Sequence, residues 1–151
     1  MADAALMDSH RYRVRVFYED TDAGGIVYHA NYLRFAERAR TEMLRAGGID
    51  HTSLQDEEAV AFTVRHCTVD FRRPAGLDDL LEVRTRFAEP KGARLEGEQT
   101  IHKVESGSDQ ATDEALVEIV LTLALIDRQG RPTRFPPRLR HALTGTSVTP
   151  R

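Results

Sequence analysis

The sequence predicts an α+β fold in which one antiparallel sheet curls around a single long helix. Three observations lead there. A strand-like alternation near the N-terminus gives way to one helical stripe, and four more alternating stretches follow with turn signals between them. At 151 residues, 40% hydrophobic and 30% charged, the chain has the size and balance of one globular domain with a sizeable core. No internal repeat or linker divides it, so residues 11–143 read as one domain between tails 1–10 and 144–151.

The first strand is Arg11–Tyr18, where Tyr12, Val14, Val16 and Tyr18 alternate with Arg11, Arg13 and Arg15. The period then changes. Tyr32, Phe35, Ala36, Ala39, Met43 and Ala46 recur at helical spacing, which predicts a helix over 32–46 with Asn31 as N-cap and Gly47-Gly48 as the stop. Its apolar stripe is accounted for by core packing alone. Ile49–Glu58 follows as a short helix or loop, with His51 or Thr52 able to start it.

Val60–Phe71 alternates first through Val60, Phe62 and Val64 and then through Cys67, Val69 and Phe71, a change of phase that predicts a bulge near Arg65-His66. Leu81, Val83, Thr85 and Phe87 define the next strand, with Pro90-Lys91-Gly92 as its turn. In Ala93–Val104 the in-phase residues are Leu95, Gly97, Gln99 and Ile101, and 106–110 reads as a hairpin loop. Thr112–Asp127 has one unbroken apolar face and a second that becomes apolar toward its end, as in a central strand covered on both sides. Asp127-Arg-Gln-Gly130 turns the chain out of the sheet, and the segment from Pro136 can hold a helical turn or more.

Charge and cysteine usage exclude several classes. A net charge of −3 argues against a general nucleic-acid binder. Cys67 is the one cysteine, which removes a disulfide framework or a multi-thiolate metal site and suits a reducing, cytoplasmic compartment. The acidic N-terminal residues do not form a signal peptide, and no apolar run approaches the ~20 residues of an integral membrane segment. His51, His66, His102 and His141 lack ligand spacing.

The stretch most unlike ordinary core is Tyr18-Glu-Asp-Thr-Asp-Ala-Gly-Gly-Ile-Val-Tyr-His-Ala-Asn-Tyr32. It places Glu19, Asp20 and Asp22 beside Gly24 and Gly25, immediately before the predicted helix. Glycine permits a tight turn and close approach of a ligand. The helix start supplies unpaired N–H groups and the positive end of a dipole, so the segment suits a reaction in which negative charge develops. A calcium loop fits part of the spacing, with Asp20, Asp22, Gly24, Gly25 and Val27 at its first, third, fifth, sixth and eighth positions. Its closing position is Asn31 where a bidentate Glu belongs, and a strand precedes it where a helix should.

Together with Phe35-Ala-Glu-Arg-Ala-Arg-Thr-Glu-Met-Leu44 and Val69-Asp-Phe-Arg-Arg-Pro-Ala-Gly-Leu-Asp-Asp79, that stretch resembles the hotdog-fold acyl-CoA thioesterases of the 4-hydroxybenzoyl-CoA thioesterase superfamily. The nearest resemblance is to the Tol-Pal-associated acyl-CoA thioesterases, over roughly Arg11 to Leu143. It implies a hotdog fold, an acyl-CoA thioester hydrolase of lipid metabolism and no cofactor or metal. The carboxylate two residues before glycine in this motif falls on Asp22, as nucleophile or general base. A backbone N–H at about His29 holds the thioester carbonyl, and the His29 side chain contacts the acyl group or assists proton transfer. His29-Ala30-Asn31-Tyr32 stands where other branches carry an aromatic residue before Pro-Asn-Tyr, which favours an aliphatic acyl group over a benzoyl one.

Gly25, Tyr28, Asn31 and Tyr32 line the implied substrate site, though Asn31 alone reads as a cap and Tyr32 as packing. Asp20, Glu19 and Glu37 read as structural. Arg131 and Arg134, within a C-terminal arginine cluster, can meet CoA phosphates or an acyl carrier protein thioester. The same scaffold hosts acyl-thioester hydratases and dehydratases and non-catalytic acyl-CoA-binding proteins, so fold alone leaves these open. Exposed sheet edges and the resemblance together imply a homodimer or homotetramer.

Overall fold

The computed structural model describes residues 9–144. Strand β1 (His10–Arg15) runs into a 3-10 turn (Tyr18–Asp20), and after the loop comes the long helix α1 (His29–Ala46). A three-residue helix, α2 (His51–Ser53), continues into a π-helical turn (Leu54–Glu58). Strands β2 (Ala61–Phe71), β3 (Leu80–Phe87), β4 (Arg94–Lys103) and β5 (Val117–Ile126) follow, and α3 (Pro137–Thr144) closes the described chain. Of the expected tails, residues 1–8 and 145–151 lie outside the described residues, whereas His10 belongs to β1 and Thr144 to α3.

All strand pairs are antiparallel, in the order β1-β3-β4-β5-β2. The helix lies against the inner face. Tyr32, Phe35, Ala36, Ala39, Met43 and Leu44 of α1 are buried in one cluster with Leu81, Val83, Phe87, Leu95, Ile101 and Ile119 of the sheet. Thus the helical stripe and the strand alternation solve one problem: each supplies the apolar surface that the other must cover. No helix among the described residues is long and apolar enough to cross a membrane.

The expected bulge in β2 is present as a register shift between Val64 and His66. Its apolar residues, however, are not covered as the alternation suggested: Val64 is 50% and Phe71 48% exposed, and Cys67 is exposed too. The reason is position. β2 is an edge strand whose outer side meets no other strand among the described residues. The short helix begins at His51, one of the two expected starts, with the Asp50 carboxylate as its cap, accepting from Ser53 N across 2.7 Å. The start of the last strand does move. β5 starts at Val117, not Thr112, because Leu116 O accepts from Arg72 N and Arg73 N, so its carbonyl serves the segment after β2.

Candidate active site

The loop after β1 is built around a buried carboxylate. Asp20 Oδ2 accepts from Phe17 N at 2.8 Å, and Oδ1 accepts from the side-chain amide of Asn31 at 3.0 Å. Both residues are buried. These bonds correct the expected cap: α1 starts at His29, Tyr28 is its N-cap without a side-chain cap bond, and Asn31 lies inside the first turn with its amide committed to Asp20. They also dispose of the calcium reading, since the Asp20 carboxylate is taken up by protein donors. Among the described residues no group of three or more His, Cys, Asp or Glu is placed to hold a metal ion.

Asp22 is held quite differently. It is exposed at the mouth of the loop, where Oδ1 accepts from Gly24 N at 2.8 Å and Asp22 N donates to Ile26 O at 2.8 Å. Gly25 closes this turn with φ +83°, a conformation that strains any residue with a Cβ. One carboxylate oxygen is therefore oriented by the backbone while Oδ2 accepts no hydrogen bond from the described residues. Val27 N donates to Ala75 O and Tyr28 N to Asp20 O, each at 2.9 Å, so the loop is pinned on both sides immediately before α1 begins.

At that helix start, Asn31 N turns back to Tyr28 O at 2.8 Å. The N–H groups of His29 and Ala30 have no acceptor a turn earlier in the helix and carry its positive dipole end. The His29 ring lies 4.7 Å from the Tyr28 ring and 6.0 Å from Phe71, both centroid to centroid. Beneath them Tyr32 is buried, with its hydroxyl accepting from Ala75 N at 2.9 Å and its ring 5.9 Å from Phe71. Burial raises the pKa of the Tyr32 hydroxyl; the Ala75 N–H opposes this, and the charges of Asp79 and Asp22 add to the rise. The phenol stays protonated.

Asp22, Gly25, Tyr28, His29, Asn31 and Tyr32 thus meet at one end of the sheet. Arg131 and Arg134 do not join them within one chain. Both are exposed on the segment after β5, where Ile126 bridges Pro132 and Arg128 donates to Gln55 O, while Arg131 pairs with Asp127 at 3.6 Å. The β2–β5 register runs from Ala61↔Ile126 at that end to Phe71↔Val117 at the Asp22 end. The separation is about 30 Å. Phe71 neighbours His29 of its own chain, whereas the sequence only brought residues 65–71 toward Asp22 from a partner chain. Sequence reading missed Gln99, whose place among Leu95, Gly97 and Ile101 was the available signal: a polar side chain on a buried face needs partners.

A five-stranded antiparallel sheet wrapped around one long helix is the hotdog fold, shared with solved thioesterases, and the relatives of this chain define the class as thioester hydrolases. The chain belongs to the thioesterase-like superfamily, whose profile matches residues 16–143. It is 41% identical over 138 residues to an acyl-CoA thioesterase YbgC of Haemophilus influenzae, covering 91% of this chain and 96% of the relative. To an acyl-CoA thioester hydrolase YbgC of Escherichia coli O6:H1 it is 51% identical over 96 residues, 64% of this chain and 71% of the relative. A probable thioesterase from Bartonella henselae superposes with TM-score 0.75 at 40% identity, covering 85% of this chain and 99% of that one. A 1,4-dihydroxy-2-naphthoyl-CoA thioesterase from Synechocystis, at 20% identity, matches with TM-score 0.79 over 93% of this chain and 99% of that one and attests the fold.

Proposed function

We propose that this protein hydrolyses acyl-CoA thioesters, with Asp22 as the catalytic carboxylate. The observation that carries the reading is the contrast between two neighbouring aspartates. Asp20 is buried and held by Phe17 N and Asn31, whereas Asp22 is exposed and oriented through one oxygen by Gly24 N, in the loop that runs into the start of α1. A thioester is already an activated acyl group. One carboxylate to attack the carbonyl or to take a proton from water, and one N–H to hold the resulting oxyanion, suffice without a triad. The carbon–sulfur bond then breaks and CoA leaves as its thiol: on the base route the proton taken from water passes to the departing sulfur, and on the nucleophile route water afterwards opens the acyl-Asp22 anhydride and supplies that proton.

His29 presents its N–H to the carbonyl oxygen and its ring to the acyl group, and Gly25, Tyr28 and Tyr32 shape the mouth of the site. The acyl group is aliphatic, and no cofactor takes part. Release of free thiol from a chain-length series of acyl-CoAs tests the activity and separates it from hydration, dehydration or mere binding. Hydrolysis in heavy-oxygen water bears on the route: label incorporated into Asp22 marks it as nucleophile, because the base route leaves Asp22 unlabelled.

The functional unit is a homodimer, or a tetramer built from it, formed in the cytoplasm. Its support is β2, an edge strand with Val64, Cys67 and Phe71 exposed. Antiparallel pairing of two β2 edges about their middle lays Ala61–Val64 of one copy beside Val69–Phe71 of the other. That brings the Arg131 and Arg134 end of one copy toward the Asp22 end of its mate, where the guanidinium groups meet CoA phosphates. Light scattering that returned an active monomer near 17.0 kDa would overturn the assembly. An unchanged KM and salt dependence after neutralising Arg131 and Arg134 would remove them from the clamp and move an acyl carrier protein thioester ahead of CoA.

A further inference from the structure

A groove of about 250 Å³ lies between the second half of α1 and the start of β2, away from the Asp22 loop. Leu44, Phe62, Val64 and Leu123 give it largely apolar walls, and Glu37 and Arg40 enter it from the helix. Arg40 is the unusual member. Its guanidinium is partly buried, and one nitrogen, Nη1, donates to Gln99 Oε1 at 2.9 Å. Gln99 is fully buried and is itself fixed, its amide donating to Ala36 O and to Thr85 Oγ1 at 2.9 Å each. The core therefore holds this arginine in one place through a neutral amide.

No ion pair joins Arg40 to a carboxylate among the described residues, although many arginines on the surface have one. Glu37, one turn earlier on α1, raises its pKa without touching it, and burial lowers the pKa more. A guanidinium carries five donors in a fixed fork, and Gln99 occupies one of them. A partly buried guanidinium that is fixed in a groove with most of its donors unmatched by protein acceptors offers them to a ligand oxygen.

We infer that Arg40 is a specificity-determining residue: the groove takes the distal end of the acyl chain, and Arg40 selects chains that end in an oxygen acceptor, a carboxylate or hydroxyl, over plain hydrocarbon. This rests on the proposed thioesterase reading and on the β2-paired dimer, in which the groove of one copy faces the Asp22 loop of the other.

The test uses CoA thioethers, which cannot be hydrolysed, of matched length and ending in methyl, hydroxyl or carboxylate, with dissociation constants measured by calorimetry on the full chain. At one length or more the oxygen-ended thioethers should bind at least about tenfold tighter than the methyl-ended one, with carboxylate ahead of hydroxyl. Arg40→Gln should erase that preference and Arg40→Lys should restore part of it. Equal or tighter binding of the methyl-ended thioether at every length, no binding of any of them, or a preference that survives Arg40→Gln would each overturn the inference. The wild-type comparison decides even where a variant fails to fold. Thiol release from plain acyl-CoAs is scored separately, so hydrolysis without the binding preference rejects Arg40 alone, and the preference without hydrolysis rejects the thioesterase reading alone.

Discussion

The side-chain amide of Asn31 donates to the buried carboxylate of Asp20 across 3.0 Å, tying the first turn of α1 to the loop that carries Asp22. Asn31→Ala removes that donor and leaves Oδ1 of a buried acid without its partner. The expected cost is about 1–3 kcal/mol. At roughly 2–4 °C per kcal/mol for a chain of this size, a thermal melt reads it directly, and an unchanged Tm would show that the bond does not hold the loop.

Tyr32→Phe probes the other side of the same loop. The Tyr32 hydroxyl accepts from the N–H of Ala75, and both residues are buried, so the phenylalanine ring keeps the packing and strands a backbone donor. A loss of about 1–3 kcal/mol in denaturant midpoints, with the m-value retained, is the expected result. Equal midpoints would mean that water replaces the hydroxyl.

How far the sequence reveals this arrangement depends on what each residue answers to. Val14, Leu81, Val83 and Ile101 are legible because alternation reports a local period, and so is the bulge at Arg65, which reverses it. Asn31 is misleading for a physical reason: cap preference is a local property, and Asp20, eleven residues away, outbids it. Glu82 is likewise illegible from its own strand. Burial raises its pKa, but hydrogen bonds from Arg84 and Arg13 outweigh burial and hold it below the ordinary carboxylate range, and Arg13 arrives from β1. Asp22 and Gly25 are legible as a motif. What distinguishes Asp22 from Asp20, exposure against burial, appears only in three dimensions.

Gly97→Ala tests the packing of β4 on β3. A Cβ built there meets the Phe87 ring and comes within 2.6 Å of Arg86 O, and Gly97 pairs directly with Phe87 across the strands. The ring has no room to retreat in a core that is already closed, so overpacking should cost about 1–3 kcal/mol. Unfolding curves measure it; a neutral variant would contradict the register assigned here.

His102 makes stability depend on pH. The ring is buried between Thr112 O and Thr100 Oγ1, each 2.8 Å away, and burial, with Arg84 assisting, holds its pKa below the ordinary 6.5. Below pH 6.5 the unfolded chain takes up a proton that the folded ring resists, so this stabilisation is complete above 6.5 and is lost as pH falls toward the depressed folded value. Glu82, also depressed, adds a second loss below its ordinary value of 4.5. Melting temperature should therefore decline from neutral pH through pH 6.5 and below, and His102→Gln should flatten the upper part of that decline. A profile unaltered by His102→Gln would assign the slope to other groups.

The most direct test compares Asp22→Asn with Asp20→Asn in kcat and in Tm. Asp22 is exposed and hydrogen-bonded through one oxygen that asparagine can supply, so Asp22→Asn should fold normally and lose about 10²–10⁴-fold or more in kcat. Asp20 is buried between two donors, so Asp20→Asn should lower Tm while keeping kcat within roughly tenfold, because asparagine retains one acceptor where the carboxylate has two. A large fall in kcat confined to Asp22→Asn at near-native Tm is the predicted result; comparable kcat values in the two folded variants would contradict it.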